Sequence, residues 1–343
     1  MRGRGTGINP PNRFDELHVE LDEEARAEAG PTQYFRDTSR SVLAENDSPD
    51  VGFRYSLNPY RGCMHGCIYC YARPTHEYLG FSAGLDFERR IMVKGDAPEL
   101  LRQAFARPSW QGDVVALSGN TDCYQPVERH LQLTRRCLEV FVECRNPVGV
   151  ITKSALVARD ADLLGVLAAQ GASHVFVSIT TLDDALAARM EPRAARPERR
   201  LDAIRMLVAA GVPVGVLMGP VVPGLTDSEI PRVLEAAAAA GARTAGWTLL
   251  RLPPPVDTLF QSWLAEHYPE RAQRVMNRIR DTRDGRISDS TFGRRHRGQG
   301  AYAGQISQLF AASARKHGLD GDLPPLSSAA FRRPTRDGQL PLL

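Results

Sequence analysis

Short apolar runs rich in β-branched residues alternate along this chain with longer stretches whose apolar positions recur every three or four residues. The first pattern fits strands and the second fits one-sided helices. Strands are predicted over residues 53–57, 114–118, 148–152, 174–180, 212–218 and 245–250. Helices are predicted over 71–79, 97–106, 126–145, 160–170, 197–210 and 227–240, the third carrying its stripe on Leu131, Cys137, Leu138 and Phe141. Gly171, Gly211 and Gly241 stand where a helix end wants a left-handed cap. Six β–α units in succession imply right-handed crossovers and a parallel sheet, which a partial barrel or a doubly wound sheet both satisfy. Residues 1–50 are polar and acidic over 22–28, which predicts an arm across the core. Residues 51–255 then form an α/β core, and 256–343 a helical extension.

A chain of 343 residues is long enough to bury a substantial core, and its net charge of +3 gives no whole-chain argument for nucleic acid. No apolar run is long enough to span a bilayer, and Met1-Arg2-Gly3-Arg4-Gly5 lacks the apolar centre of a signal peptide. The cytoplasm is expected, with no membrane partner. The six cysteines do not look like a secreted disulfide framework; Cys137 and Cys144 read as buried free thiols on a helix.

Three of them change the picture. Cys63, Cys67 and Cys70 lie in Asn58-Pro59-Tyr60-Arg61-Gly62-Cys63-Met64-His65-Gly66-Cys67-Ile68-Tyr69-Cys70. Four thiolates are the usual anchors of a four-iron cubane, so C-x3-C-x2-C leaves one iron open for chemistry. Short Cys spacings also suit a zinc knuckle completed by His65 or His76, or a ferredoxin-like site completed by Cys123 or Cys144.

This spacing, with Tyr69 just before Cys70, resembles the signature of the radical S-adenosylmethionine (SAM) enzymes. Within that superfamily the chain is similar to a bacterial branch akin to the spore photoproduct lyases. The likeness runs through Gly7-Ile8-Asn9-Pro10-Pro11-Asn12-Arg13-Phe14, the cysteine segment, 118–128, Met190-Glu191-Pro192-Arg193, 219–227 and Asp289-Ser290-Thr291-Phe292-Gly293. It implies a partial (β/α)6 TIM-like barrel with the cysteine loop after its first strand. It also implies a [4Fe–4S] cluster whose open iron chelates the amino and carboxylate groups of SAM. Reductive cleavage would then give methionine and a 5′-deoxyadenosyl radical that abstracts hydrogen from a substrate. A reductant such as flavodoxin or ferredoxin is implied as partner.

The loops after the strands carry the remaining candidates. After strand two, Ser118-Gly119-Asn120-Thr121-Asp122 offers acceptors where relatives contact the SAM ammonium group, and Asp122 equally suits a helix cap. Lys153, after strand three, is a ligand for carboxylate or phosphate or a snorkelling surface residue. Ser178, Thr180, Glu191 and Arg193 are candidates for the SAM ribose and carboxylate, although Glu191 and Arg193 also suit a structural ion pair. After strand five, Gly219 to Gly224 resembles the adenine-holding segment of the superfamily, with Pro220 and Val222 as its apolar wall and Tyr69 against the adenine. In the photoproduct lyases a cysteine returns the closing hydrogen atom, and Cys123 is the candidate here, against burial as an inert thiol.

Nine arginines, Arg271, Arg274, Arg278, Arg280, Arg283, Arg286, Arg294, Arg295 and Arg297, crowd the extension beside Phe292, His296 and Tyr302. They suit a phosphate backbone with stacked bases, or a solvated helix face. A nucleic-acid lesion, DNA damage included, is therefore the first substrate expected. The rivals are a peptide or metabolite substrate and a cluster-bearing redox protein without SAM cleavage.

Overall fold

The computed structural model describes residues 3–14 and 31–334. Its main sheet holds six parallel strands in chain order: β3 (Tyr55–Leu57), β6 (Val115–Leu117), β7 (Val148–Thr152), β8 (Ser173–Ser178), β9 (Val214–Val221) and β10 (Thr244–Leu249). Strand β2 (Leu43–Glu45) pairs antiparallel with β3 at one edge, and β10 is the other edge. Each parallel pair joins strands that succeed one another within this sheet, as a singly wound barrel requires and a doubly wound sheet does not. A smaller sheet orders β1 (Gln33–Arg36), β5 (Arg90–Val93) and β4 (Tyr60–Arg61).

Alternation along the strands separates two faces. Val148, Val150, Val175, Val177, Val214, Val216 and Met218 are buried in the main hydrophobic core with the helices, among them Leu138 and Phe141 of Leu133–Cys144 and Ile204 of Pro197–Ala209. The other face carries Gly149, His174, Phe176 and Gly215. A Cβ on Gly149 would meet the His174 ring at 2.7 Å, and one on Gly215 would meet Phe176 at 2.4 Å. Those two half-buried rings lie over that face because the neighbouring strands are bare there. The same alternation, carried on to the C-terminal ends, puts Lys153, Ser178 and Gly219 on that face.

The gap between the sheet edges is spanned by residues 289–299. Leu249 N–H donates to His296 C=O at 2.7 Å, while Arg295 reaches Asp50 at 2.6 Å, beyond β2. Arg283, buried just after the helix Pro269–Asp281, anchors this strap through the carbonyls of Leu250 (2.7 Å) and Arg295 (2.9 Å).

Two expectations shift. The predicted helix 126–145 breaks at Gln132, whose φ is 48°, into Glu128–Leu131 and Leu133–Cys144. The break turns the Glu128 carboxylate onto the Thr134 N–H at 3.0 Å, at the start of the second helix, where a negative charge is favoured. The expected arm contributes β1 and β2, and residues 3–14 cross the cysteine loop; its acidic stretch, 22–28, lies outside the described residues. Among the described residues no helix is long and apolar enough to cross a membrane.

Candidate active site

The cysteine loop leaves β4 and is clamped from several sides. Cys63 N–H donates to Phe87 C=O at 2.8 Å. The wholly buried Arg73 guanidinium donates to Cys67 C=O (3.0 Å) and Gly66 C=O (3.2 Å), to Gly84 C=O (2.9 Å) and to Glu88 (2.6 Å). Gln125, also buried, accepts from Met64 N–H at 2.9 Å and donates to Gly62 C=O at 3.1 Å. Thr121 hydroxyl donates to Tyr60 C=O at 2.7 Å, and Asn58 Oδ1 accepts the backbone N–H groups of Asn120 and Thr121 at 3.2 Å. The loop after β6 thus grips the cysteine loop with side chains.

Inside this frame Cys63 lies against Ala72 and Phe87, Cys67 against Ile68 and Tyr69, and Cys70 touches both groups. Burial and the neighbouring Cys63 push the Cys70 thiol up, while Arg73 and Lys153 pull it down. Burial and then Glu191 raise Cys67, again opposed by Lys153. The other three cysteines all belong to the main core. No fourth thiol therefore joins the loop trio, and a thiol-only, mostly apolar cradle fits an iron–sulfur group with one open corner. Among the described residues no three His, Cys, Asp or Glu side chains gather on a single-ion position. His65 is engaged by Asp122 at 3.4 Å, and His76 packs on Phe81 and Phe87.

Next to the trio, residues from separate strand ends converge. Lys153 Nζ donates to Ser178 Oγ and to Gly219 C=O, both at 2.8 Å, and lies 5.8 Å from the Tyr69 ring centre. Tyr69 hydroxyl donates to Glu191, and Thr180 hydroxyl donates to the same carboxylate at 2.8 Å. Val222 packs in the cluster that holds Cys67 and Tyr69. Glu191 is held ionised, down at about 2: burial opposes the charge, but Arg200 and Lys153 outweigh it. Arg200 is the site residue that sequence reasoning missed. Its guanidinium binds Glu191, Ser178 C=O (2.9 Å) and Ala195 C=O (2.7 Å). A signal for it does exist, since Arg200 falls on the buried stripe with Leu201, Ile204 and Leu207.

Other expected residues sit elsewhere or are already occupied. Asp122 accepts from Thr152 hydroxyl (2.7 Å), Lys153 N–H (2.8 Å) and Tyr124 N–H (2.9 Å), so it ties loops together. Burial works against its charge, yet His65 and these donors hold it at about 2. Ser118, with φ 95°, accepts the Cys123 N–H at 3.1 Å, and the Asn120 side chain is exposed. Arg193 lines a cavity of about 100 Å³ with His65, Tyr124, Arg129 and Ser154, which Lys153 and Tyr69 do not line. Glu191 pairs with Arg200, not with Arg193. Cys123 is fully buried in the main core, where burial pushes its thiol up.

The arginine-rich stretch divides. Arg283 and Arg295 hold the strap, Arg297 covers Trp247 at 4.7 Å and Arg278 covers Tyr302 at 4.3 Å. Tyr302 hydroxyl is tied to Asp227, and of the three expected stacking rings Phe292 alone stays well exposed, at 56 %.

The family profile described as the radical SAM superfamily matches residues 57–237. An uncharacterised protein of Mycobacterium tuberculosis is 39% identical over 224 residues, 65% of this chain and 66% of its own length. The match thus spans just under two thirds of that relative. The protein named radical SAM Nalpha-GlyT isomerase of Pseudomonas phage M6 is 28% identical over 217 residues, 62% of this chain and 43% of its own. Spore photoproduct lyase complexed with dinucleoside spore photoproduct superposes with a TM-score of 0.62 at 15% identity, covering 90% of this chain and 86% of that one. That last likeness is one of fold.

Proposed function

Because the chain belongs to the radical SAM superfamily, we propose that it is an enzyme holding a [4Fe–4S] cluster on Cys63, Cys67 and Cys70 and SAM beside it. When bound, the cluster would supply the electron that splits SAM reductively into methionine and a hydrogen-abstracting 5′-deoxyadenosyl radical. The observation that carries the reading is the isolation of three thiols in one buried loop beside Lys153, Tyr69 and Glu191, with the other three in the core.

The chain's own residues divide the binding work. Lys153, fixed by Ser178 and Gly219, presents a cation to the SAM carboxylate or to the cluster's negative charge. Glu191, kept ionised by Arg200, orients the Tyr69 hydroxyl, so the ring would be held in one position to receive the adenine. Thr180 and Val222 complete a polar edge and an apolar wall. Asn120 is the exposed acceptor left for the ammonium group, while Asp122 and Ser118 hold its loop.

The substrate we favour is a base or nucleotide lesion. At the strand ends, Tyr71 and Phe292 are exposed by 48 % and 56 %. Arg251 lies 5.6 Å from the Tyr71 ring centre, and Arg295 lies 4.5 Å from that of Phe292. Exposed rings backed by guanidinium groups suit flat, phosphate-bearing molecules. Anaerobic reconstitution with iron and sulfide, then dithionite and SAM, should release 5′-deoxyadenosine, and Cys70→Ala should release none. An intact cluster that yields no nucleoside would point to the redox protein. Cleavage indifferent to damaged DNA and nucleotides would point to a peptide or metabolite substrate.

A further inference from the structure

A cavity of about 460 Å³ opens outside the group around Lys153 and shares none of its residues. Its walls come from three places where a loop enters a helix: after β8 at Asp184–Met190, after β9 at Ile230–Ala239, and at Tyr268 before Pro269–Asp281. Arg232 and Arg271 line it, each in the first turn of one of the two longer helices. A helix start carries positive partial charge, so helix energetics alone disfavour a cation at either place. Both arginines are exposed, and among the described residues neither side chain has a hydrogen-bond or ion-pair partner. The two carboxylates of the lining are bound to its walls. Glu229 accepts the Thr181 hydroxyl at 2.5 Å and the Leu182 N–H at 2.9 Å. Asp183 accepts the Ala185 and Leu186 N–H groups at 2.8 and 3.0 Å, both on Oδ1. The apolar side is Leu186 and Leu225, which belong to the cluster of Cys67, Tyr69 and Val222. Half-buried Tyr268 completes the lining, its ring centre 5.5 Å from that of Trp263 and 5.2 Å from Arg189.

We infer that this cavity is a binding site for a nucleoside phosphate, separate from the positions proposed for SAM and substrate. Its phosphate lies with Arg232 and Arg271, where two guanidinium groups and two helix starts all favour negative charge. A dianion there offsets two cations that their own helices oppose. An inorganic ion would leave most of the space unused, because cavities of a few hundred Å³ match whole organic ligands. The Tyr268 ring and the Leu186–Leu225 wall suit a flat base. Asp183 engages the backbone through one oxygen, so the other can accept a ribose hydroxyl. An acidic peptide fits less well, since further carboxylates would meet Asp183 and Glu229. The lining includes neither Lys153 and Glu191 nor Tyr71 and Phe292, so the site stands apart from the cluster assignment.

The experiment is calorimetric titration of the reconstituted full-length protein with AMP, with SAM present at saturation to occupy its own site. AMP should still bind. Arg232→Gln and Arg271→Gln should each weaken it by about tenfold, the loss expected for one charged hydrogen bond. Both exchanges are at exposed side chains, and SAM affinity in each variant should match the parent. Inorganic phosphate should bind about tenfold more weakly than AMP, because it lacks the base that stacks. Unchanged AMP affinity in both variants would overturn the site, and so would AMP that SAM displaces completely. Inorganic phosphate binding as tightly as AMP would remove the nucleoside and overturn the ligand class. Triglutamate binding in place of AMP would give the cavity to an acidic peptide and overturn it as well. A parent protein that binds no SAM would strike the SAM reading instead, and the arginine variants would still decide the AMP site.

Discussion

Two sets of three cysteines meet different fates in this molecule. Cys63, Cys67 and Cys70 share one loop whose position is set by polar clamps: Arg73 on its carbonyls, Gln125 on Gly62 and Met64, Asp122 on His65. Cys123, Cys137 and Cys144 sit among Leu133, Leu138, Phe141 and Val148 in the main core, where apolar contact surrounds their thiols, and of the three Cys123 also has its backbone bonded by side chains, those of Ser118 and Thr134. Both sets are largely buried, so burial does not separate a ligand from a filler. The difference lies in what fixes the surrounding backbone. Hydrogen bonds specify a single loop conformation, whereas a hydrophobic core mainly asks for volume.

The sharpest way to break this comparison is Cys67→Ala. Iron and sulfide after reconstitution should fall from about four per chain toward zero; full occupancy would sink the ligand assignment. Next comes Arg200→Met, which strips the buried Glu191 of its paired guanidinium and leaves it the Lys153 charge. Urea unfolding should show a loss of about 3–5 kcal/mol, and an unchanged midpoint would mean that the polar frame is dispensable. Asp122→Asn comes third. Its carboxylate is held at about 2 against an ordinary 3.8, so its contribution is complete above pH 3.8 and disappears as pH falls toward 2. The stability gap between parent and variant should be about 2 kcal/mol at neutral pH and close over that interval. A gap that stays constant down to pH 2 would contradict the charge argument. The smallest effects belong to the core set. Cys137→Ala and Cys123→Ala should each cost about 1–2 kcal/mol while leaving cluster content and SAM cleavage intact. Cluster loss in Cys123→Ala would move that thiol from filler to ligand.

Much of this division is legible in the sequence. The strand Val148–Thr152 and the helix Ala97–Ala106 have the bounds that apolar periodicity predicts. Lys153, Ser178, Thr180 and Gly219 stand out because they follow apolar strands, and the structure gathers Lys153, Ser178 and Gly219 in one hydrogen-bonded group. Local patterns fail where contacts span the chain. Strands β1, β4 and β5 are two to four residues long, too short to show a period, and pair across about thirty residues (β4 with β5) and about sixty (β1 with β5). Arg73 and Gln125 bind backbone groups of the loop, and nothing in neighbouring sequence marks a side chain for that task. The C-terminal arginines mislead for the opposite reason. Composition groups them, yet Arg283 turns inward onto three carbonyls while Arg271 and Arg274 face solvent.

The strap between the sheet edges has one more consequence. A closed barrel is welded, because strand meets strand around the whole ring. Here the last join is a buckle: the Leu249 N–H on His296 C=O, Arg283 on the carbonyls of Leu250 and Arg295, and Asp50 held by Gly293 N–H and Arg295. Unfastening it would leave all six parallel strands paired while widening the seam beside Tyr71 and Phe292. A bulky or polymeric molecule could then be admitted from the side, like a thread laid into a hook, without being fed in by its end.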